Sequence, residues 1–343
     1  MEIESATSKI PKVALAGSVG SSRRTLLALI RHKFPIVGVL GLSPTKSQNV
    51  CGYCRLDDLA LDIGAPFVEF GNINHPSITK IVQNWAPDVL FIVGLSQIVK
   101  RELLKIPKMG CVGFHPTWLP EGRGRAPVAW LILENRPGAA TFFMMDEGVD
   151  SGPIFVQEPF QVTKQDYASD VIAKLELAID KALDRWLPQL KSGIWAPVPQ
   201  NEVIASYYGR RAPCDGLIQW HWPAIEIYNL IRAASYPHPG AYTFVKHKKL
   251  VIWRAQIESK LPFRGVPGRI LDISSSKGFL VQTGSGLLWL EEVEFPEEPN
   301  LEPNKILRIG TKLGYSCEDE IFHLIRQVAD LESRLQKLEK LSK

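Results

Sequence analysis

The chain has 343 residues, 45% hydrophobic and 22% charged, which is ordinary for a globular protein and leaves room for two domains. A net charge of +4, with basic runs no longer than Lys246, His247, Lys248 and Lys249, argues against a nucleic-acid partner. No segment reaches the roughly 18 apolar residues that span a bilayer, and residues 1–12, with Glu2 and Glu4, do not read as a signal peptide. A cytoplasmic location is therefore expected. Five cysteines make no disulfide framework, and the Cys51/Cys54 C-x-x-C lacks a second Cys or His pair, so no metal site is expected.

The first 150 residues alternate short apolar runs with amphipathic segments. Strands are expected at residues 13–16, 36–40, 66–70, 88–93, 111–114 and 140–145, and helices at 24–33, 56–63 and 78–85. Such alternation predicts an α/β domain with a parallel sheet covered on both faces. Residues 17–22 lack both the GxGxxG spacing and a Walker lysine and read as a plain strand-to-helix turn. Over 167–190, Val171, Leu175, Ala178, Ala182, Leu183, Trp186 and Leu190 form one helical stripe. Pro188, Pro197 and Pro199 then mark a linker.

Beyond residue 206 the pattern changes. A helix at 224–233 precedes five short strands at 241–245, 249–254, 269–273, 278–282 and 287–292, a spacing that suggests a small OB-type barrel. In the tail, Ile321, Leu324, Val328, Leu331, Leu335 and Leu338 alternate spacings of three and four, as in a coiled-coil seam. An oligomer is expected through this helix.

Ligands of open α/β sheets bind at the carboxyl ends of strands. Three loops qualify: residues 94–97, the segment after His115, and the loop holding Asp150. His115 is ringed by Pro116, Pro120, Gly122 and Gly124, in a loop better suited to a site than to a core. Its imidazole can take a proton from an amine or stabilise a tetrahedral intermediate, and Asp150 can orient it. No Ser or Cys sits in a nucleophile motif, so direct transfer is the simpler chemistry. Arg123 and Arg125 either bind an anion or tether the loop.

Several motifs in matching order carry a family resemblance. They are His115 to Pro120, Arg123 to Pro127, Asp146 to Pro153, Asp215 to Trp220 and Tyr236 to Tyr242. Over roughly residues 10–312 the chain resembles the folate-dependent formyltransferases. The resemblance implies a Rossmann-like, doubly wound domain over 1–200 and a barrel-like domain over 201–315, leaving 316–343 as the amphipathic helix. It implies N10-formyltetrahydrofolate as co-substrate, with its pterin lined by Leu95, Gln97 and Ile98 and by Met144, Asp146, Glu147 and Val149. Thr117, Arg123 and Arg125 map to the acceptor side. Of the family's Asn, His and Asp, His115 and Asp150 are present, but Gly113 stands at the Asn position. Loss of one oxyanion donor typically lowers the rate on the order of a hundred- to a thousandfold, and Gln97 or a water is the candidate stand-in.

The tRNA enzyme of this family carries a long basic insertion after its second strand, whereas residues 43–56 are short and weakly basic. The Arg123, Gly124, Arg125 loop and the Asn72, Asn74 segment resemble the sugar N-formyltransferases. A nucleotide-linked amino sugar is therefore the expected acceptor. Formyltetrahydrofolate hydrolysis, methionyl-tRNA formylation and non-catalytic binding are the alternatives.

Overall fold

The structure, a computed structural model, describes residues 9–315 and 317–341. Most of the N-terminal segment read above as free of a signal peptide lies outside the described residues. The chain divides into two compact units, Met1–Pro213 with Ala233–Pro239, and Cys214–Arg232 with Gly240–Lys343.

In chain order the first unit contains β1 (Val13–Gly17), α1 (Gly20–Arg31), β2 (Ile36–Leu42), α2 (Asp57–Asp62), β3 (Phe67–Phe70), α3 (Pro76–Trp85), β4 (Val89–Val93) and α4 (Arg101–Leu104). There follow β5 (Gly110–His115), β6 (Arg123–Gly124), α5 (Pro127–Leu133), β7 (Gly138–Met144), β8 (Ile154–Phe160), α6 (Ala168–Lys191) and β9 (Tyr207–Tyr208). Seven strands form one sheet in the order β3-β2-β1-β4-β5-β7-β8, and β1 to β5 are parallel.

The central strands β1 and β4 are apolar and buried at every position because both sheet faces are covered. Alternation sorts their side chains. Val13, Leu15, Val89, Phe91 and Val93 meet the α6 stripe on one face. Ala14, Ala16, Leu90 and Ile92, with Cys111 of β5, form the core of the other.

Two local expectations change. The 17–22 turn is already helical from Gly20, because Ser22 Oγ accepts from the Ser18 and Val19 amides and donates to Val93 O. The sheet is also not wholly parallel: β7 runs antiparallel to both β5 and β8. Residues 145–153, which join β7 to β8, are too few for the crossover that a parallel pair needs.

The second unit holds most of α7 (Ala224–Ala234), then β10 (Ala241–Val245), β11 (Lys248–Glu258), β12 (Ile270–Ser274), β13 (Gly278–Gln282), β14 (Leu287–Glu294), α8 (Pro303–Ile306) and α9 (Cys317–Leu341). Its five strands form an antiparallel sheet in the order β10-β11-β14-β13-β12. The two-residue β10–β11 turn places Lys246 and His247 at φ 48° and 65°, the left-handed pair that matches hairpin twist. On α9 the six seam residues named above are all exposed. No helix among the described residues is long and apolar enough to cross a membrane.

Candidate active site

β5 delivers His115 to the carboxyl end of the parallel strands. With a period of two, Gly113 and His115 share the face of Cys111. Across the ladder, Gly113 pairs with Phe143 and His115 with Thr141. The His115 imidazole is buried. Its Nε2 lies 2.8 Å from Gly122 O and its Nδ1 3.4 Å from Asp150 Oδ2. A carbonyl only accepts, so Nε2 carries a proton, and the Nδ1 edge facing the carboxylate is where a second proton can be gained or surrendered.

Asp150 reaches His115 from the loop after β7. Asp146 Oδ1 accepts from Gly148 N and Ser151 Oγ and turns the chain. The Met144 amide donates to Pro153 O and closes the base of the loop. Asp150 itself adopts φ 52°, a left-handed conformation that aspartate tolerates better than most residues. Its Oδ2 also accepts from the Gly124 amide at 2.9 Å.

The loop after β5 is tied to a distant segment. β6 and β9 pair in parallel, Arg123 with Tyr207 and Gly124 with Tyr208. Gly124 has φ 107°, and a Cβ there would stand 2.5 Å from Tyr208 O, so glycine is required on two counts. Arg123 is fully buried. Its guanidinium donates to Gln200 Oε1, to both carboxylate oxygens of Glu202 and to the Tyr207 hydroxyl. Between anion binding and tethering, its donors are committed to tethering. Thr117 is also buried: its hydroxyl lies 3.4 Å from Gly122 O, and its carbonyl accepts from Thr141 Oγ1. Arg125 is exposed, with its amide bonded to Tyr208 O.

The two expected folate-lining loops border the same core. Leu95 and Met145 both pack on the cluster of the Gly113 face, and Arg101 at the start of α4 pairs with Glu147 at 3.0 Å. Ile98 and Val149 expose their side chains, as an apolar ligand surface would. Met144 is half-buried and Asp146 exposed. Gln97, the expected stand-in for the missing amide, is already engaged on both ends of its amide. Its Nε2 donates to Gly71 O and its Oε1 accepts from Ile73 N.

The place of that amide is occupied. A Cβ on Gly113 would meet Phe143 Cζ at 2.7 Å and Met145 Cγ at 2.9 Å. The site thus joins a His–Asp pair to an apolar wall. The sequence placed Phe143 only in a strand and Met145 also in the expected pterin loop 144–149, and it gave no sign of Gln200, Glu202 and Ser206, whose partners lie far along the chain. Cys51 and Cys54 are free thiols, and among the described residues no group of three or more His, Cys, Asp or Glu is placed to hold a metal.

A family model described as formyl transferase matches residues 69–187, and one described as formyl transferase, C-terminal domain, matches residues 211–309. The chain belongs to the formyl transferase family. Among solved structures it is similar to HypX from Aquifex aeolicus in complex with tetrahydrofolic acid, with a TM-score of 0.61 and 17% identity over 84% of this chain. It spans only 45% of that protein's length. WlaRD, a sugar 3N-formyl transferase solved with dTDP and 5-N-formyl-THF, has a TM-score of 0.61 and 18% identity over 83% of this chain and 98% of its own. An N-formyltransferase from Helicobacter canadensis, in complex with folinic acid and dTDP-3-aminofucose, has a TM-score of 0.61 and 17% identity over 82% of this chain and 99% of its own. At these identities the likeness is one of fold. It bears out the expected α/β class, here a sheet with a parallel centre followed by a separate antiparallel sheet.

Proposed function

We propose that this formyl transferase family member moves a formyl group from N10-formyltetrahydrofolate to the amine of a nucleotide-linked amino sugar. The observation that carries the reading is the approach of Asp150 Oδ2 to within 3.4 Å of His115 Nδ1 at the carboxyl end of the parallel strands. Support for the substrates comes from WlaRD and the Helicobacter canadensis enzyme, which bind a folate and a dTDP compound in this fold. The folate lies between residues 95–98 and 144–149, and Arg125 faces the acceptor. The amine nitrogen attacks the formyl carbon, and the bond from that carbon to N10 breaks. His115 Nδ1 takes the proton that the amine loses and returns it to N10, while Asp150 stabilises the imidazolium between the two events.

A second reading is favoured by the apolar wall over Gly113. With no amide to hold the formyl oxygen, water replaces the amine and the product is formate. Formate release and amine formylation, measured side by side, separate the two.

We further propose that α9 pairs two copies of the chain in parallel. Ile321, Val328 and Leu335 stand at a positions, and Leu324, Leu331 and Leu338 at d; a β-branched residue at two of the three a positions with Leu at every d favours two strands.

A further inference from the structure

We infer that Gln200 is the positioning residue for Asp150, clamping the turn that carries this carboxylate to the buried Arg123. Its catalytic consequence rests on the formyl-transfer reading; its geometry does not.

Gln200 Nε2 donates to the carbonyls of Asp150 and Gly152 at 2.8 and 2.7 Å. Its Oε1 accepts from Arg123 Nε and Nη2 at 3.2 and 2.8 Å. Only one orientation of the amide meets all four contacts. Reversed, it would set oxygen against two carbonyls and NH2 against a guanidinium. With both carbonyls held, the Asp150–Ser151 and Gly152–Pro153 peptide planes are fixed, and with them the left-handed Asp150 that aims Oδ2 at His115.

The other end of the clamp is equally anchored. Arg123 is fully buried and held by Glu202 and Tyr207. Its neighbours make the site contacts: Gly122 O faces His115 Nε2, and Gly124 N donates to Asp150 Oδ2. Gly122 N in turn donates to Ser206 Oγ, and Arg123 N to Ser206 O. One segment, residues 200–208, therefore fixes both the loop that holds the imidazole and the turn that holds the carboxylate. Gln200 is the side chain in which the two meet.

The test uses two variants of the full chain. Gln200→Glu keeps an acceptor for Arg123 and removes both donors to the turn; Gln200→Met removes all four contacts at similar length. Ring-nitrogen NMR shifts of His115 are read without ligand, alongside turnover with N10-formyltetrahydrofolate. The shifts are expected to move as they do in Asp150→Asn, and kcat to fall about tenfold or more with the donor KM within about twofold. Adding Gln200→Glu to Asp150→Asn is expected to have little further effect on kcat. A folded Gln200→Glu with wild-type His115 shifts overturns the inference. So does failure of both variants to fold, which would make the residue structural. Displaced shifts in the Gln200 variants, together with no turnover in the wild-type protein, would retain the clamp and reject only the formyl-transfer reading.

Discussion

A Cβ built on Gly113 would stand 2.7 Å from Cζ of Phe143, its partner across β5 and β7. The position the family gives to an amide is therefore closed as well as vacant of donors. Gly113→Asn is expected to lower stability by about 1–3 kcal/mol through overpacking and to leave turnover no higher than wild type. Adding Phe143→Ala opens space for the new side chain and is the combination in which a rise in turnover is expected. Urea unfolding and steady-state rates check both. A single variant of wild-type stability with raised turnover would show that the wall yields.

The His–Asp pair makes a separate prediction. Asp150→Asn keeps an oxygen for the Gly124 amide, so the loop should survive, but it removes the charge that stabilises a protonated His115. Turnover is expected to fall about a hundredfold or more, with His115→Gln at least as severe. Circular dichroism establishes that both remain folded, and single-turnover kinetics reads the chemical step. Wild-type rates in either variant would remove the pair from the mechanism.

The pH dependence of stability is expected to carry the mark of His238. Burial pushes this imidazole below its ordinary value of 6.5, and the nearby Arg211 acts the same way, outweighing the hydrogen bond to Ala233 O. The folded state therefore favours the neutral ring. Its contribution is fully present above pH 6.5 and is lost as the pH falls below that value, because the unfolded chain then takes up a proton that the folded chain refuses. Thermal unfolding between pH 7.5 and about 5 should show a slope that is reduced in His238→Asn, which retains a donor for Ala233 O. An unchanged slope would assign the dependence to other groups.

The C-terminal helix gives a test of association. Leu331 is 60% exposed at the middle of the α9 seam. Leu331→Asp would set two carboxylates face to face in a parallel pair and should convert a dimer to a monomer in analytical ultracentrifugation, without loss of the main-domain unfolding transition. A wild-type protein that sediments as a monomer would contradict the pairing.

Much of the fold was legible because its cause is local and periodic. The apolar run of β4, the α6 stripe and the five strands β10 to β14 each repeat a burial pattern that a few neighbouring residues display. His115 and Asp150 were legible because turn-rich loops end those patterns. The supports of the site were not. Gln200 lies beside Pro199 in a stretch that reads as linker, and its partners are Arg123, Asp150 and Gly152. Arg123 reads as a surface cation until Glu202 and Tyr207 are placed around it. Gln97 reads as a free amide until residues 71–73 occupy it. Long-range hydrogen bonds between polar residues leave no periodic trace in sequence.

The most direct test of the proposed function is to incubate the full chain with N10-formyltetrahydrofolate and a panel of nucleotide-linked amino sugars, following formylated acceptor by mass spectrometry and formate in the same reactions. Formylation of at least one acceptor is expected, at a rate exceeding formate release and abolished in His115→Gln. Formate produced at the same rate with and without every acceptor, and no formylated sugar, would contradict it.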